Sequence, residues 1–189
     1  MINIKKIALV TFLTVSALFA GTYNVDPVHS HIGFKVKHLM ISNVKGQFDT
    51  YSGKFEYDEK TNTLKSLSGV IKVSSINTGI EKRDKHLRSD DFFDVKKYPE
   101  ITFVLSKIDD DIAYGKLTIH GITKEVKMDF ENGGSVTDPW GNKRAGFAMN
   151  TKISRKDYSI MWNNVIETGG VVVGDKIKIN IEIEGILEK

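Results

Sequence analysis

Apolar and polar residues alternate with period two along most of the chain, the mark of strands with one buried face. Ile177, Ile179, Ile181 and Ile183 are interleaved with Lys178, Asn180 and Glu182. Val126, Met128 and Phe130 alternate with Lys127, Asp129 and Glu131. Leu117 and Ile119 alternate with Lys116, Thr118 and His120, and Phe55 and Tyr57 with Lys54 and Glu56. Ile101, Phe103 and Leu105 lie opposite Thr102 and Val104. Reversals are expected at His120-Gly121, Glu131-Asn132-Gly133-Gly134, Asp138-Pro139-Trp140-Gly141 and Gly174-Asp175. The pattern predicts strands over 30–38, 45–57, 65–76, 99–107, 112–120, 123–131, 144–154 and 176–187. Eight strands with short links predict an all-β fold, an antiparallel sheet closed into a barrel or packed as a sandwich.

One segment follows a different period. Thr78-Gly79-Ile80-Glu81 has the spacing of a capping box. Ile80, Arg83, Asp84 and Leu87 then fall on one helical face, which predicts a short helix over about 79–88. A charge pair on that face is costly to bury unless fully hydrogen-bonded. The helix is therefore expected to act as a lid or plug, or else to carry an exposed Asp84–Arg88 pair. Phe92 and Phe93 are adjacent, so a strand could not send both into one core; a turn packed over a barrel mouth suits them. A short helical or bulged piece is expected at 38–43.

The first twenty residues stand outside this scheme. Lys5 and Lys6 precede an uncharged run from Ile7 to Ala20 that ends in small residues. Its 14 residues fall short of the ~20 that span a bilayer, so 1–20 is expected to be a cleaved secretory signal, cut at Ala17 or Ala20. Residues 21–189 then form one domain with chain enough for a sizeable core, exported to the periplasm. Loss of the two lysines takes the formal charge from +3 to +1, which gives no electrostatic reason to expect nucleic acid. The chain has no cysteine, so its stability rests on packing without disulfides.

Three of the five histidines lie within "HSHIGFKVKH", residues 29–38. On a strand, His29 and His31 share the outer face with Lys35 and Lys37, while His38 shares the inner face with Ile32, Phe34 and Val36. The three do not converge on one ion without a bulge. His29 and His31 with Asp26 would be the smallest metal set, and His38 is either a satisfied core histidine or a polar contact for a ligand head. No nucleophile elbow, zinc-protease motif or phosphate loop is present. A non-catalytic reading is therefore preferred over a histidine-based metal-binding or hydrolytic enzyme.

The order of several short motifs resembles the YceI-like family of secreted bacterial lipid-binding proteins. They are Asp26-Pro27-x-His29-Ser30, Phe34-x-Val36-x-His38-Leu39 and Val44-x-Gly46-x-Phe48. Further on come Ile76-x-Thr78, Arg83-Asp84-x-His86-Leu87, Phe92-Phe93-Asp94 and Tyr98-Pro99-x-Ile101-x-Phe103. The stretch from Gly115 to Lys124, Arg155-x-Asp157-Tyr158, Trp162-Asn163 and Val173-Gly174-Asp175 complete the set. Ser159 departs from the glycine common there in the family, which bears on local turn geometry.

The resemblance implies an eight-stranded, lipocalin-like antiparallel barrel around a long apolar ligand, a polyisoprenoid such as a quinone tail or a fatty-acid-like amphiphile. It implies a homodimer; no cofactor is expected beyond the bound ligand, and transient membrane contact is among the partners considered. Each buried methylene contributes about 0.8 kcal/mol, so apolar walls suffice to hold such a chain. The expected ligand-facing residues are Phe34, Val36, His38, Phe48, Leu87, Phe92, Phe103, Leu117, Met128, Phe130, Met149 and Trp162. Any one of the apolar members could equally be ordinary core.

Overall fold

In the computed structural model, which describes residues 20–164 and 171–189, the alternating runs pair into one antiparallel sheet that closes on itself. Its strands are β1 (Gly21–Val25), β2 (His31–His38), β3 (Ser42–Phe48), β4 (Tyr51–Asp58), β5 (Thr63–Lys72) and β6 (Ile76–Asn77). They continue as β7 (Glu100–Asp109), β8 (Ile112–Ile119), β9 (Ile122–Thr137), β10 (Lys143–Ser154) and β11 (Val173–Leu187). One helix, α1 (Glu81–Arg88), and two 3-10 turns, Val73–Ser75 and Arg155–Tyr158, complete the described elements. The ring β1-β4-β5-β7-β8-β9-β10-β11 closes through β1 against β11 and is the eight-stranded barrel. Strands β2, β3 and β6 extend from the same edge of β11 that β1 occupies farther along.

β1 and β2 are thus one strand interrupted by the turn 26–30. Ser30 spans the interruption: its Oγ donates to Glu184 O at 3.1 Å and accepts from Glu184 N at 3.0 Å. The sequence pattern did not predict β1, because its five residues bring only Tyr23 fully into the core. The expected strand 45–57 is two strands, broken at Asp49 and Thr50, whose backbones bond instead to Ser75 and Lys72. Gly133 is a bulge within β9, not a reversal: Asn132 pairs with Phe147 and Gly134 with Gly146, so the strand runs on. Gly174-Asp175 likewise sits at a register shift in β11 rather than in a turn. His120-Gly121 is the expected reversal, both residues left-handed between paired Ile119 and Ile122. Residues 39–41 form a tight turn, neither helical nor bulged, with Leu39 and Met40 at φ 50° and 62°.

The helix forms where expected, with a different start. Ile80 is the N-cap and makes no side-chain cap. Thr78 is drawn instead to Asp84, which is buried: the Thr78 N–H donates to Asp84 Oδ1 at 3.0 Å and the hydroxyl donates to the same oxygen. Arg83 closes the knot from outside, donating to Thr78 Oγ1 at 2.7 Å and Thr78 O at 2.8 Å. The buried charge is therefore satisfied by hydrogen bonds, and Arg88 pairs with Glu81, not Asp84.

The barrel is filled unequally. At the end bearing β1, Tyr23 stacks on Phe55 with centroids 5.2 Å apart, and Phe147 meets Phe55 edge-on at 5.2 Å. Tyr23 donates to Glu59 at 2.8 Å, and the Tyr57 hydroxyl bonds Asn62 at 2.6 Å and Asn132 at 2.8 Å. That end is solid. The half bounded by β2, α1 and the Arg155–Tyr158 turn is hollow.

Candidate functional site

The hollow half is a cavity of ≈140 Å³. Period two builds its walls: Ile32, Phe34 and Val36 face in from β2, and Ile177, Ile179 and Ile181 from β11. Ile101 and Phe103 of β7, Leu117 and Ile119 of β8, Met128 of β9 and Ile153 of β10 close the far side. Leu87, Phe92 and Phe93 cover it from the helix and the turn that follows, as the paired aromatics suggested. Arg155, Tyr158 and Ile160 close the remaining side. A cavity of this size lined by hydrocarbon stays dry and accepts a guest about the size of benzene. A second apolar cavity of ≈50 Å³ lies beside it, toward β1, β4 and β5, and shares Ile32, Ile71, Phe103 and Ile181 with the first. Those four side chains are the partition between the two.

Of the residues expected to face a ligand, Phe34, Val36, Phe48, Leu87, Phe92, Phe103, Leu117 and Met128 meet at the larger cavity. Met149 lines the smaller one. Phe130 packs on Phe147 at 6.0 Å in the solid half. Trp162 lies behind the cover, against Phe92 at 5.1 Å and His86 at 4.9 Å. His38 is half-buried at the end of β2, opposite Val173, and is not among the described lining residues.

The sequence marked Arg155 and Tyr158 as part of a family motif but gave them no place at a cavity, which both of them border. Arg155 is buried, and its guanidinium donates to Ile160 O at 2.8 Å, Trp162 O at 2.7 Å, Gly174 O at 3.2 Å and Asp175 Oδ1 at 3.2 Å. Burial depresses its pKa, and the nearby Asp175 works against that. It ties the Ile160–Trp162 segment to the start of β11. Tyr158 is 1% exposed, and its hydroxyl has no hydrogen-bond partner among the described residues. Burial, with Asp157 secondary, pushes its phenol up to about 12, so it remains a donor at neutral pH. An unpaired buried hydroxyl costs about 1–3 kcal/mol.

The histidines do not assemble into a centre. His29 Nδ1 lies 2.7 Å from Asp26 Oδ2, while His86 on α1 meets Asp91 at 2.8 Å and His120 packs on Tyr98 at 4.3 Å. Asp26, His29 and Glu184 do place ligand atoms within 4.8 Å of one another. This set includes Glu184 where the sequence suggested His31. Arg144 already reaches it, with Nη1 3.0 Å from Asp26 and 2.5 Å from Glu184.

Comparison with known proteins agrees with this geometry. A model of the YceI-like domain matches residues 23–185. A UPF0312 protein of Staphylococcus epidermidis is 40% identical over 163 residues, covering 86% of this chain and 95% of the relative. The crystal structure of a Campylobacter jejuni YceI protein superposes with a TM-score of 0.69 at 39% identity, over 81% of this chain and 90% of that one. A polyisoprenoid-binding domain from Saccharophagus degradans, implicated in plant cell wall breakdown, shares the fold with a TM-score of 0.67 at 17% identity. That match covers 90% of this chain and all of the other.

Proposed function

The chain belongs to the YceI-like domain family, and from that premise we propose that it binds and carries a long apolar amphiphile, an isoprenoid or an acyl chain, without catalysis. The observation that carries this reading is the cavity wall, built chiefly from isoleucine, phenylalanine, leucine, valine and methionine on eight strands and a covering helix. Such a wall holds hydrocarbon chiefly by area, with Arg155 and Tyr158 the polar side chains among its described lining residues. The fold neighbour that binds polyisoprenoid supports the ligand class. The N-terminal order of charges and apolar residues supports export to the periplasm; residues 1–19 lie outside the described residues.

The cavity as it stands is short for such a chain. A tail of several isoprene units enters by moving the partition, chiefly the Phe103 ring, so that the two cavities join. The Tyr158 hydroxyl, without a hydrogen-bond partner among the described residues, favours a ligand with an oxygen acceptor near its head.

Native mass spectrometry of protein purified without detergent tests the reading. The expected result is a bound amphiphile of about a few hundred daltons, as even a dozen buried methylenes contribute ~10 kcal/mol before ordering costs. A folded Phe34→Asp variant is expected to lose it. A wild-type protein that takes up no lipid under any condition, or a Phe34→Asp variant that loads normally, would overturn the proposal.

A further inference from the structure

Strand register sorts the outward charges of one barrel wall into rows. Lys152 of β10 pairs with Lys178 of β11, Lys178 with Lys35 of β2, and Lys35 with Lys45 of β3. Four lysines thus stand side by side on four adjacent strands, spanning about 15 Å. Lys37 and Lys176 extend the basic zone by one outward position. Two positions the other way, the row reads Asp129, Asn150, Asn180, Gly33. Two further on it reads Glu131, Ala148, Glu182, His31, and Glu184 follows. The wall is therefore basic at one end and acidic at the other, a polarity that a net charge of only +3 conceals.

The lysine row is not neutralised. The ion-paired lysines among the described residues are Lys54, Lys72, Lys107, Lys143 and Lys156, none of them in the row. Like charges directly opposite in a sheet are destabilising, so the arrangement carries a cost that no ion pair among the described residues offsets.

The basic end also carries an exposed apolar tip. The turn between β2 and β3 presents Met40 and Ile41, which are 56% and 83% exposed. The turn is firmly held: Leu39 N donates to Val172 O at 2.9 Å, Ile41 N donates to His38 O at 3.2 Å, and Leu39 and Met40 are left-handed. This is the hollow half of the barrel, where Val36 and Val173 line the cavity. The acidic end has its own exposed apolar residues, Trp140 and Val28, but there Asp26, Asp138 and Glu184 surround a single arginine.

We infer that the barrel docks on an anionic lipid bilayer through this end, with Met40 and Ile41 entering the interface and the lysine row against the headgroups. Charge complementarity selects the end. An apolar tip flanked by lysines is attracted to anionic lipid, whereas the Trp140 tip is flanked by carboxylates that the same surface repels. Docking this way sets the hollow half next to the source or destination of an apolar ligand, and so rests on the function proposed above.

Co-sedimentation with phosphatidylcholine vesicles, with and without phosphatidylglycerol, tests the inference. Fluorescent acyl-probe uptake is measured on each variant in parallel. Wild type is expected to bind only the anionic vesicles, and less as salt rises. Lys35→Gln, Lys45→Gln, Lys152→Gln and Lys178→Gln, added in turn, are expected to weaken binding roughly fivefold each. Met40→Ser with Ile41→Ser should weaken it further, Trp140→Ser should not, and all should load the probe as wild type does. Equal binding to neutral vesicles, indifference to the lysines, loss on Trp140→Ser alone, or binding to a soluble acidic polymer but not to vesicles would each overturn the docking. Wild type that loads the probe yet ignores anionic vesicles defeats this inference and leaves the lipid-carrying function standing. Wild type that takes up no probe defeats that function itself.

Discussion

The ring of Phe103 lies over Gly115 on the neighbouring strand, in the space where any larger residue would place its Cβ. β8 yields its side chain at that point so that the ring can lie flat against the wall and still border both cavities. Gly115→Ala would also bring its methyl to 2.8 Å from Val104 O, a backbone atom that cannot swing away. The expected outcome is a loss of about 1–3 kcal/mol in urea unfolding, together with reduced probe uptake as the ring is driven into the cavity. Unchanged stability with unchanged uptake would show that the ring has other room to move.

Tyr158→Phe separates ligand recognition from stability. The hydroxyl has no partner among the described residues, so its removal should leave thermal stability equal or slightly raised. Retention of an amphiphile with a carbonyl or carboxylate head should fall by roughly tenfold, the worth of one buried hydrogen bond. A pure hydrocarbon should bind as before. Calorimetric titration with a paired fatty acid and alkane reads the difference.

The barrel was legible because its strands are half-buried, and burial on one face writes period two into the sequence. What escaped was set by contacts between distant segments. Tyr23 alone could not announce β1, whose place depends on β4 and β11. Thr78 had the spacing of a cap, but its hydroxyl donates to Asp84 and accepts from Arg83 Nε, and the helix takes Ile80 as its N-cap. Arg155 reads in sequence like any surface arginine; its burial depends on the main-chain carbonyls of Ile160, Trp162 and Gly174 that converge on it. The cavity wall was legible as an apolar set but not as a cavity, because alternation marks Phe34 and Phe147 alike as inward. Only the aromatic packing at the β1 end decides which half is filled. The lysine row was hidden for a related reason: it exists only in the register of four strands.

Thr78→Val tests how firmly the cover over the cavity is held. The change removes the hydroxyl that bonds Asp84 and accepts from Arg83 Nε, and leaves only the Thr78 N–H on a buried carboxylate. A hydrogen bond to a charged group is worth about 1.5–3 kcal/mol, so unfolding stability should drop by that order. Because α1 leads directly into the turn bearing Phe92, amide exchange through 81–93 should quicken and bound probe should leave faster. Thr78→Ser should behave as wild type in both measurements.

Arg144 governs the response of the acidic end to low pH. It donates to Asp138 at 2.8 Å, Asp26 at 3.0 Å and Glu184 at 2.5 Å. Its hydrogen bond, with lesser help from Asn142 and the Trp140 N–H, holds Asp138 well below the usual carboxylate range. Burial acts against Asp26, but hydrogen bonds from His29, the Val28 N–H and Arg144 bring it below its ordinary value too. A carboxylate depressed in the folded state adds stability above its unfolded pKa of about 3.9, and loses it as pH falls through the folded value. Wild type should therefore hold a flat melting temperature down to about pH 4 and lose it progressively below. In Arg144→Gln the three carboxylates lose the cation they share and repel one another, so the variant should melt below wild type at neutral pH. Their protonation then relieves the repulsion, and the gap between the two proteins should narrow as pH falls. Melting curves by circular dichroism across the acid range check this; a gap that stays constant with pH would mean that Arg144 acts through packing and not through charge.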